Sequence, residues 1–149
     1  MSRLDGIIRL RKWELDEQRR VLAVMQAERD SIAGMIEQLD HERAEQSRLY
    51  NGSEVSALTL GAYLEGVRNK QAQLRRDLAK KDEEVEAHRD RVADCFRELK
   101  TYEIAREMEL KREKAKEAKE EQEAFDELGI QNHARQDAMA DSQHLKMRR

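Results

Sequence analysis

The chain has 149 residues, of which 41% are charged, 38% hydrophobic and 4% aromatic, with no proline and a net charge of −3. An average chain of this length contains about seven prolines. The composition is typical of long exposed helices and coiled coils, and it argues against a sheet protein and against a globular enzyme with a large buried core.

Residues 4–50 predict a first amphipathic helix, because apolar residues recur at alternating steps of three and four. We call the positions that follow this repeat the seam. In the first helix they are Leu4, Ile8, Arg11, Leu15, Gln18, Leu22, Met25, Arg29, Ile32, Ile36, Leu39, Arg43, Gln46 and Tyr50. Most are apolar, as in a coiled-coil heptad.

Residues 51–59 hold the densest cluster of turn-forming residues and predict a turn, with Ser53, Ser56 and Thr59 as candidate helix caps. A second helix is predicted over residues 60–127. Its seam is Leu60, Leu64, Val67, Gln71, Leu74, Leu78, Lys81, Val85, His88, Val92, Cys95, Leu99 and Tyr102. Leu128-Gly129 predicts its end, and we expect residues 130–149 to form a flexible tail after a single domain over residues 1–129.

The sequence also predicts how the two helices pair. Helices joined by a short loop run antiparallel, and if Leu49 lies opposite Leu60, the numbers of paired residues add up to about 109. Leu4, at the start of the first helix, then lies opposite Ala105 of the second helix. The apolar repeat of the second helix also weakens there. The charged segment Glu103 to Phe125 is therefore predicted to continue alone, as a projecting helix without a partner.

Several residues interrupt the seam and have two readings each. For His88 and Lys81 we favour a role in fixing register over a pH or partner switch. Cys95 is interpreted as a small inert hydrophobe rather than a redox site, and as the only cysteine it excludes an intrachain disulfide and a cysteine-based zinc site. Arg43 lies opposite Gly66 in this register, and we expect the glycine to leave room for the aliphatic part of the arginine side chain.

Two surfaces are candidates for binding. Trp13 lies off the seam among basic residues, where it either anchors a partner or packs against the projecting helix. Near the turn, Tyr63, Val67, Lys70 and Leu74 follow a helical spacing, although part of that stripe coincides with the seam.

No pattern predicts catalysis. The four histidines do not fall at metal-ligand spacing on one face, and no phosphate-binding loop occurs. We therefore expect no enzyme activity, no catalytic residue, no metal and no cofactor. Interspersed charges argue against nucleic-acid binding. Residues 1–13 are unlike a signal peptide and no apolar run spans a bilayer, so we expect a cytoplasmic protein without direct membrane insertion.

Three segments resemble the flagellar export protein family FliJ: the opening Leu10 to Arg20, the turn after Tyr50, and Glu98 through Gly129. The resemblance covers about residues 3–129. It implies an antiparallel coiled coil similar to the central stalk of rotary ATPases, peripherally associated with the inner-membrane type III export apparatus. The implied partners are the hexameric export ATPase, whose ring assembly and ATP hydrolysis it promotes, the membrane-embedded export gate, and the export chaperones.

The resemblance also implies contact residues. The matching ATPase-ring positions are the mobile cations Arg9, Arg11, Lys12, Arg106, Lys111 and Arg112, together with Trp13. The matching gate positions are Tyr63, Val67, Lys70 and Leu74. Nothing separates a flagellar member from an injectisome counterpart. A stalk protein should be monomeric alone, whereas the alternatives are a homodimeric coiled-coil scaffold without an ATPase partner and a substrate-holding chaperone.

Overall fold

The computed structural model describes residues 2–147, which form two helices, α1 (Arg3–Arg48) and α2 (Glu54–Met147). The predicted all-α hairpin is confirmed, since the two long helices pack against each other and the described residues include no strand. By their internal contacts the residues divide into a hairpin unit, Gly6–Thr101, and a terminal unit, Met1–Asp5 with Tyr102–Arg149. The sequence analysis expects one domain over residues 1–129 instead.

Helix α2 begins at Glu54 rather than at residue 60, because Ser53 caps it. The Ser53 hydroxyl oxygen accepts a hydrogen bond from the Ser56 backbone N–H at 3.0 Å, which satisfies one of the unpaired donors of the first helical turn. Thr59, another predicted cap, lies inside α2. In the turn, Gly52 has a φ of 81°, a left-handed conformation that glycine adopts without steric cost.

Helix α2 also continues through the predicted stop at Leu128-Gly129 to Met147, so the predicted end of the helix is wrong. Gly129 lacks the positive φ of a helix-terminating glycine. A glycine inside a helix costs only about 1 kcal/mol relative to alanine, and no proline follows to stop the helix. Residues 130–147 are thus helical, and the last two residues of the predicted tail lie outside the described residues.

The core of the hairpin unit is the predicted seam. The buried residues are Leu15, Val67, Gln71, Val85, His88 and Leu99, all of them seam positions. No side chain is more than 98% enclosed, as expected where one helix covers only one face of another. Toward the turn the seam opens, and Tyr50, counted as a seam residue, is exposed.

The predicted register is confirmed by ion pairs between the helices of the hairpin unit. Arg11 lies 3.1 Å from Glu98 and Lys81 lies 2.5 Å from Glu28, and in both pairs the residue numbers add up to 109. A third pair joins the Arg29 Nε to Asp82 at 2.8 Å. The hydrophobic repeat and the short turn together therefore fix the antiparallel alignment.

In the terminal unit, α2 loses its packing partner. Residues 102–110 are exposed or half-buried, and every described residue from 111 to 147 is exposed. Ion pairs along the helix, such as Lys111–Glu107 at 3.6 Å and Lys116–Glu120 at 4.0 Å, follow the i,i+4 spacing that supports a solvated helix. A helix without a packing partner is thus present over residues 111–147, but the predicted beginning at Glu103 is wrong, because Arg106 and Glu109 still bond to Asp5 and Ser2.

Candidate functional site

The polar residues buried in the seam bond across it. The Gln71 side-chain amide donates to the Asp40 carboxylate at 2.7 Å and lies 3.4 Å from the Ile36 carbonyl oxygen. The His88 Nε2 lies 3.1 Å from the carbonyl oxygen of Gln18. Because Gln71 and His88 each have a partner on the other helix, a shifted register would leave them unpaired, which supports the interpretation that such residues set register.

Lys81 is engaged in the same way. Hydrogen bonding to Glu28 is the largest influence on its ammonium group and raises the pKa of Lys81 above its ordinary value. Burial acts in the opposite direction, and the charges of Glu28 and Glu84 add to the increase. Lys81 therefore bridges the two helices and is not an open binding site.

The packing explanation for Arg43 is wrong. A Cβ atom added at Gly66 would meet no atom within 4 Å, so Gly66 does not make room for an arginine stem. Arg43 instead lies half-exposed, with its Nη2 3.7 Å from Asp40.

The ring-contact residues predicted on α1 fall into two groups. Arg9 and Lys12 are exposed and make no ion pair in the described part of the chain, and Trp13 is 60% exposed. Arg11 differs, because its guanidinium lies 2.9 Å from Glu14 and 3.1 Å from Glu98. Arg11 is thus held in the hairpin and is not a mobile cation.

Trp13 belongs to an apolar face that the sequence analysis missed. We call it the α1 stripe, and it consists of the exposed side chains of Leu10, Trp13, Val21, Val24 and Met35. At 100° per residue these five positions fall within an arc of about 80°, roughly perpendicular to the seam. A helical-wheel count of the non-seam apolar residues would have revealed it.

On the terminal unit, Arg106 is a structural residue. Its Nε lies 3.0 Å from Asp5, and its side chain is only 19% exposed. Burial by itself would raise the pKa of Asp5, but the backbone N–H of Ser2 and the guanidinium of Arg106 outweigh it, so the pKa of Asp5 is lowered. Arg106 therefore fastens the start of α1 to α2 and is not the mobile cation that the sequence predicts.

The other two cations of that set are accessible. Lys111 is exposed and pairs with Glu107 within its own helix, while Arg112 is exposed and has no ion pair among the described residues. Further along α2, large apolar side chains also face solvent. They are Phe125, Leu128, Ile130, Met139, Leu145 and Met147. The sequence analysis missed these residues because it counted only the seam repeat.

The predicted gate stripe is not one continuous surface. Val67 is 6% exposed and lies in the seam, so it is unavailable unless the hairpin opens. Leu74 is half-buried. Lys70 is exposed and Tyr63 is half-buried, and both line an open hollow of about 310 Å³, with Leu39 on the facing helix.

The turn carries a second apolar surface that the sequence analysis did not identify. We call it the tip cluster, and it consists of the exposed residues Leu49, Tyr50, Val55 and Leu58. These side chains have no covering partner in the described structure, because both helices end or begin there. Large apolar residues inside a turn cluster were the signal available in the sequence.

None of these surfaces has the composition of a catalytic or metal centre. In the described ranges, no group of three or more His, Cys, Asp or Glu side chains is placed to hold a metal ion. Within residues 2–147, no helix combines the length and the apolar character needed to span a bilayer.

Two long antiparallel helices, joined by a short turn and held in register by polar seam residues, define a coiled-coil hairpin. The family model described as flagellar FliJ protein matches residues 1–138, and the chain therefore belongs to the FliJ family. Membership makes it a component of flagellar protein export. Searches among curated proteins and among solved structures found no match.

Proposed function

We propose that this protein is a non-enzymatic, central-stalk-like component that promotes assembly and activity of the hexameric export ATPase ring. In this proposal it is cytoplasmic, monomeric alone, peripherally associated with the inner-membrane export apparatus, and also engages the export gate and the export chaperones. The observation that carries it is the long solvated segment of α2, residues 111–147, which the family model matches up to residue 138. A charged helix without a packing partner is available for a reversible contact with another protein.

For the ring contact, the exposed residues Arg9, Lys12, Trp13, Lys111 and Arg112 are the strongest candidates. Mobile cations accelerate encounter with an acidic surface and make it sensitive to salt, while an exposed tryptophan supplies buried area once the partner closes over it. In this proposal Arg11 and Arg106 act indirectly, by holding the helices that present these residues.

The ring proposal is tested by Trp13→Ala and by the double variant Arg9→Gln/Lys12→Gln, each assayed for stimulation of ATP turnover by the cognate export ATPase. Both should fold as the parent does, because all three side chains are exposed. The charge variant should lose stimulation, and the parent's stimulation should fall with added salt. The matched control is Lys80→Gln/Arg91→Gln, exposed cations outside the proposed contact. Equal stimulation by the charge variant and its control would remove these residues from the site.

For the gate contact, the strongest candidates are the tip cluster and, from the predicted stripe, the exposed Lys70 and the half-buried Tyr63, which line the same hollow. Val67 and Leu74 support the seam beneath them, so we propose them as positioning residues. Tyr63→Ala and Leu58→Ala should weaken binding to the cytoplasmic domain of the gate protein. Binding unchanged in both variants, measured by titration calorimetry, would contradict this part of the proposal.

The α1 stripe supports a second candidate, a homodimeric scaffold without an ATPase partner. Five exposed apolar side chains on one face form a surface that a second copy would cover. Sedimentation equilibrium distinguishes the two candidates, because the stalk proposal predicts a monomer and the scaffold predicts a dimer that Val21→Glu dissociates.

A further inference from the structure

A groove beside the seam, near the turn, is lined by three arginines. Arg68 and Arg75 lie on α2, and Arg43 faces them from α1. The groove has a volume of about 540 Å³, and Leu64 and Ala44 also line it. We call it the arginine groove.

Two of the three guanidinium groups are uncommitted. In the part of the chain that the structure describes, Arg68 and Arg75 form no hydrogen bond and no ion pair, and both residues are exposed. Arg43 has one distant partner, Asp40 at 3.7 Å. By contrast, Arg29 of the same unit is held by Asp82 at 2.8 Å. The groove therefore concentrates positive charge that the fold itself does not use.

The spacing of these groups suits two carboxylates. Arg68 and Arg75 are seven residues apart on one helix, which places them two turns and about 10.5 Å apart along its axis. Carboxylates seven residues apart on a partner helix have the same separation. Each guanidinium presents a planar fork of donors that matches a carboxylate with two parallel hydrogen bonds.

The remaining lining selects the kind of partner. Leu64 is half-buried and Ala44 is apolar, so the groove also offers a contact for one hydrophobic side chain, one turn beyond Arg68 on the side away from Arg75. None of the lining residues of this groove is acidic. None of the lining residues is aromatic, so the groove offers no platform on which a nucleic-acid base would stack.

The arginine groove is separate from the proposed gate surface. At 100° per residue, Arg68 and Arg75 leave α2 on one side of the seam, whereas Tyr63 and Lys70 leave it on the other. The lining residues agree, because the hollow lined by Tyr63 and Lys70 shares no residue with the groove.

We propose that the arginine groove binds an acidic amphipathic helix of a partner protein. Two glutamates or aspartates of that helix, seven residues apart, pair with Arg68 and Arg75, and an apolar residue one turn outside this pair, at the Arg68 end, contacts Leu64. This inference goes beyond the proposed stalk function and does not depend on it, since the groove requires neither the ATPase ring nor the gate.

The probe is an alanine-rich helical peptide with two glutamates seven residues apart and one leucine four residues outside the pair at each end, so that either orientation presents a leucine to Leu64; it is labelled for fluorescence anisotropy. A second peptide carries glutamines at the two glutamate positions. The full-length protein should bind the glutamate peptide, and the glutamine peptide should bind at least about tenfold more weakly, as expected from losing one charged hydrogen bond or more. Arg68→Gln/Arg75→Gln should weaken the glutamate peptide to a similar extent.

The matched control is Lys80→Gln/Arg91→Gln, which removes the same charge at exposed positions outside the groove and should change the affinity by less than about twofold. Circular dichroism verifies that both variants remain helical. Equal binding of the two peptides, or an equal loss in the two double variants, would overturn the proposal. If the parent protein self-associates and Arg68→Gln/Arg75→Gln abolishes that association, the groove binds a second copy of the chain and the proposal is refuted. Tighter binding of a single-stranded oligonucleotide than of the glutamate peptide would also refute the proposal.

Discussion

Leu15→Ala tests whether the seam stabilises the hairpin. Leu15 is the buried residue of α1, with 3% of its surface exposed. Replacing a packed leucine by alanine costs about 2–5 kcal/mol, and the lower half of that range applies here because no side chain of the core is more than 98% enclosed and the two helices can close part of the gap. The higher helix propensity of alanine offsets only a few tenths of a kcal/mol of that loss of stability. We expect a loss of about 2–3 kcal/mol in the free energy of unfolding.

The assay is urea unfolding followed by circular dichroism at 222 nm, with Leu10→Ala as the matched control. Leu10 is 53% exposed on the same helix, so its substitution should change the free energy of unfolding by less than about 0.5 kcal/mol. A loss below about 1 kcal/mol for Leu15→Ala, or equal losses in the two variants, would refute the assignment of the seam as the stabilising face.

Three further predictions concern Gly66 and two ion pairs. Gly66→Ala should raise the free energy of unfolding by about 0.5–1 kcal/mol in the same urea assay, because the position is helical and a Cβ there meets no atom within 4 Å. The lowered pKa of Asp5 means that the hydrogen bonds its carboxylate accepts from the Ser2 backbone N–H and from Arg106 stabilise the fold above the unfolded-state pKa of about 3.9, and that this contribution disappears as the pH falls through the lower folded value. The stability difference between the parent and Asp5→Asn should therefore shrink in acid, and a difference that stays constant down to about pH 2 would contradict it. The raised pKa of Lys81 gives stability the opposite pH dependence. Its pairing with Glu28 stabilises the fold below about pH 10.4, and this contribution is lost as the pH rises through the pKa of Lys81 in the folded state. Lys81→Gln should remove that alkaline loss of stability.

The sequence predicts the fold because its dominant signal, the seam, is repeated many times over. A repeat that includes Leu15, Val67, Val85 and Leu99 determines which faces pack, and the short turn then determines the register. The end of α2 is harder to predict because it depends on a single residue. Gly129 is as compatible with a helix interior as with a helix end, and the local sequence holds no proline that would decide between them.

The candidate surfaces are less predictable than the fold, since they depend on which side chains the fold itself engages. Arg11, Arg106 and Arg112 are indistinguishable cations in the sequence. In the structure, the first two are held by carboxylates and the third faces solvent. Apart from Tyr50, the tip cluster and the α1 stripe consist of apolar residues outside the seam, and a count restricted to the seam repeat does not register them.

The stimulation of ATP hydrolysis tests the central claim most directly. The cognate export ATPase is assayed for turnover and for oligomer formation by light scattering, with and without the purified full-length protein, at moderate salt. A stalk-like component predicts that both quantities rise as the protein is added and reach a plateau at a substoichiometric ratio to ATPase subunits. No change in either quantity, with the hairpin shown to be folded under the same conditions, would contradict the account.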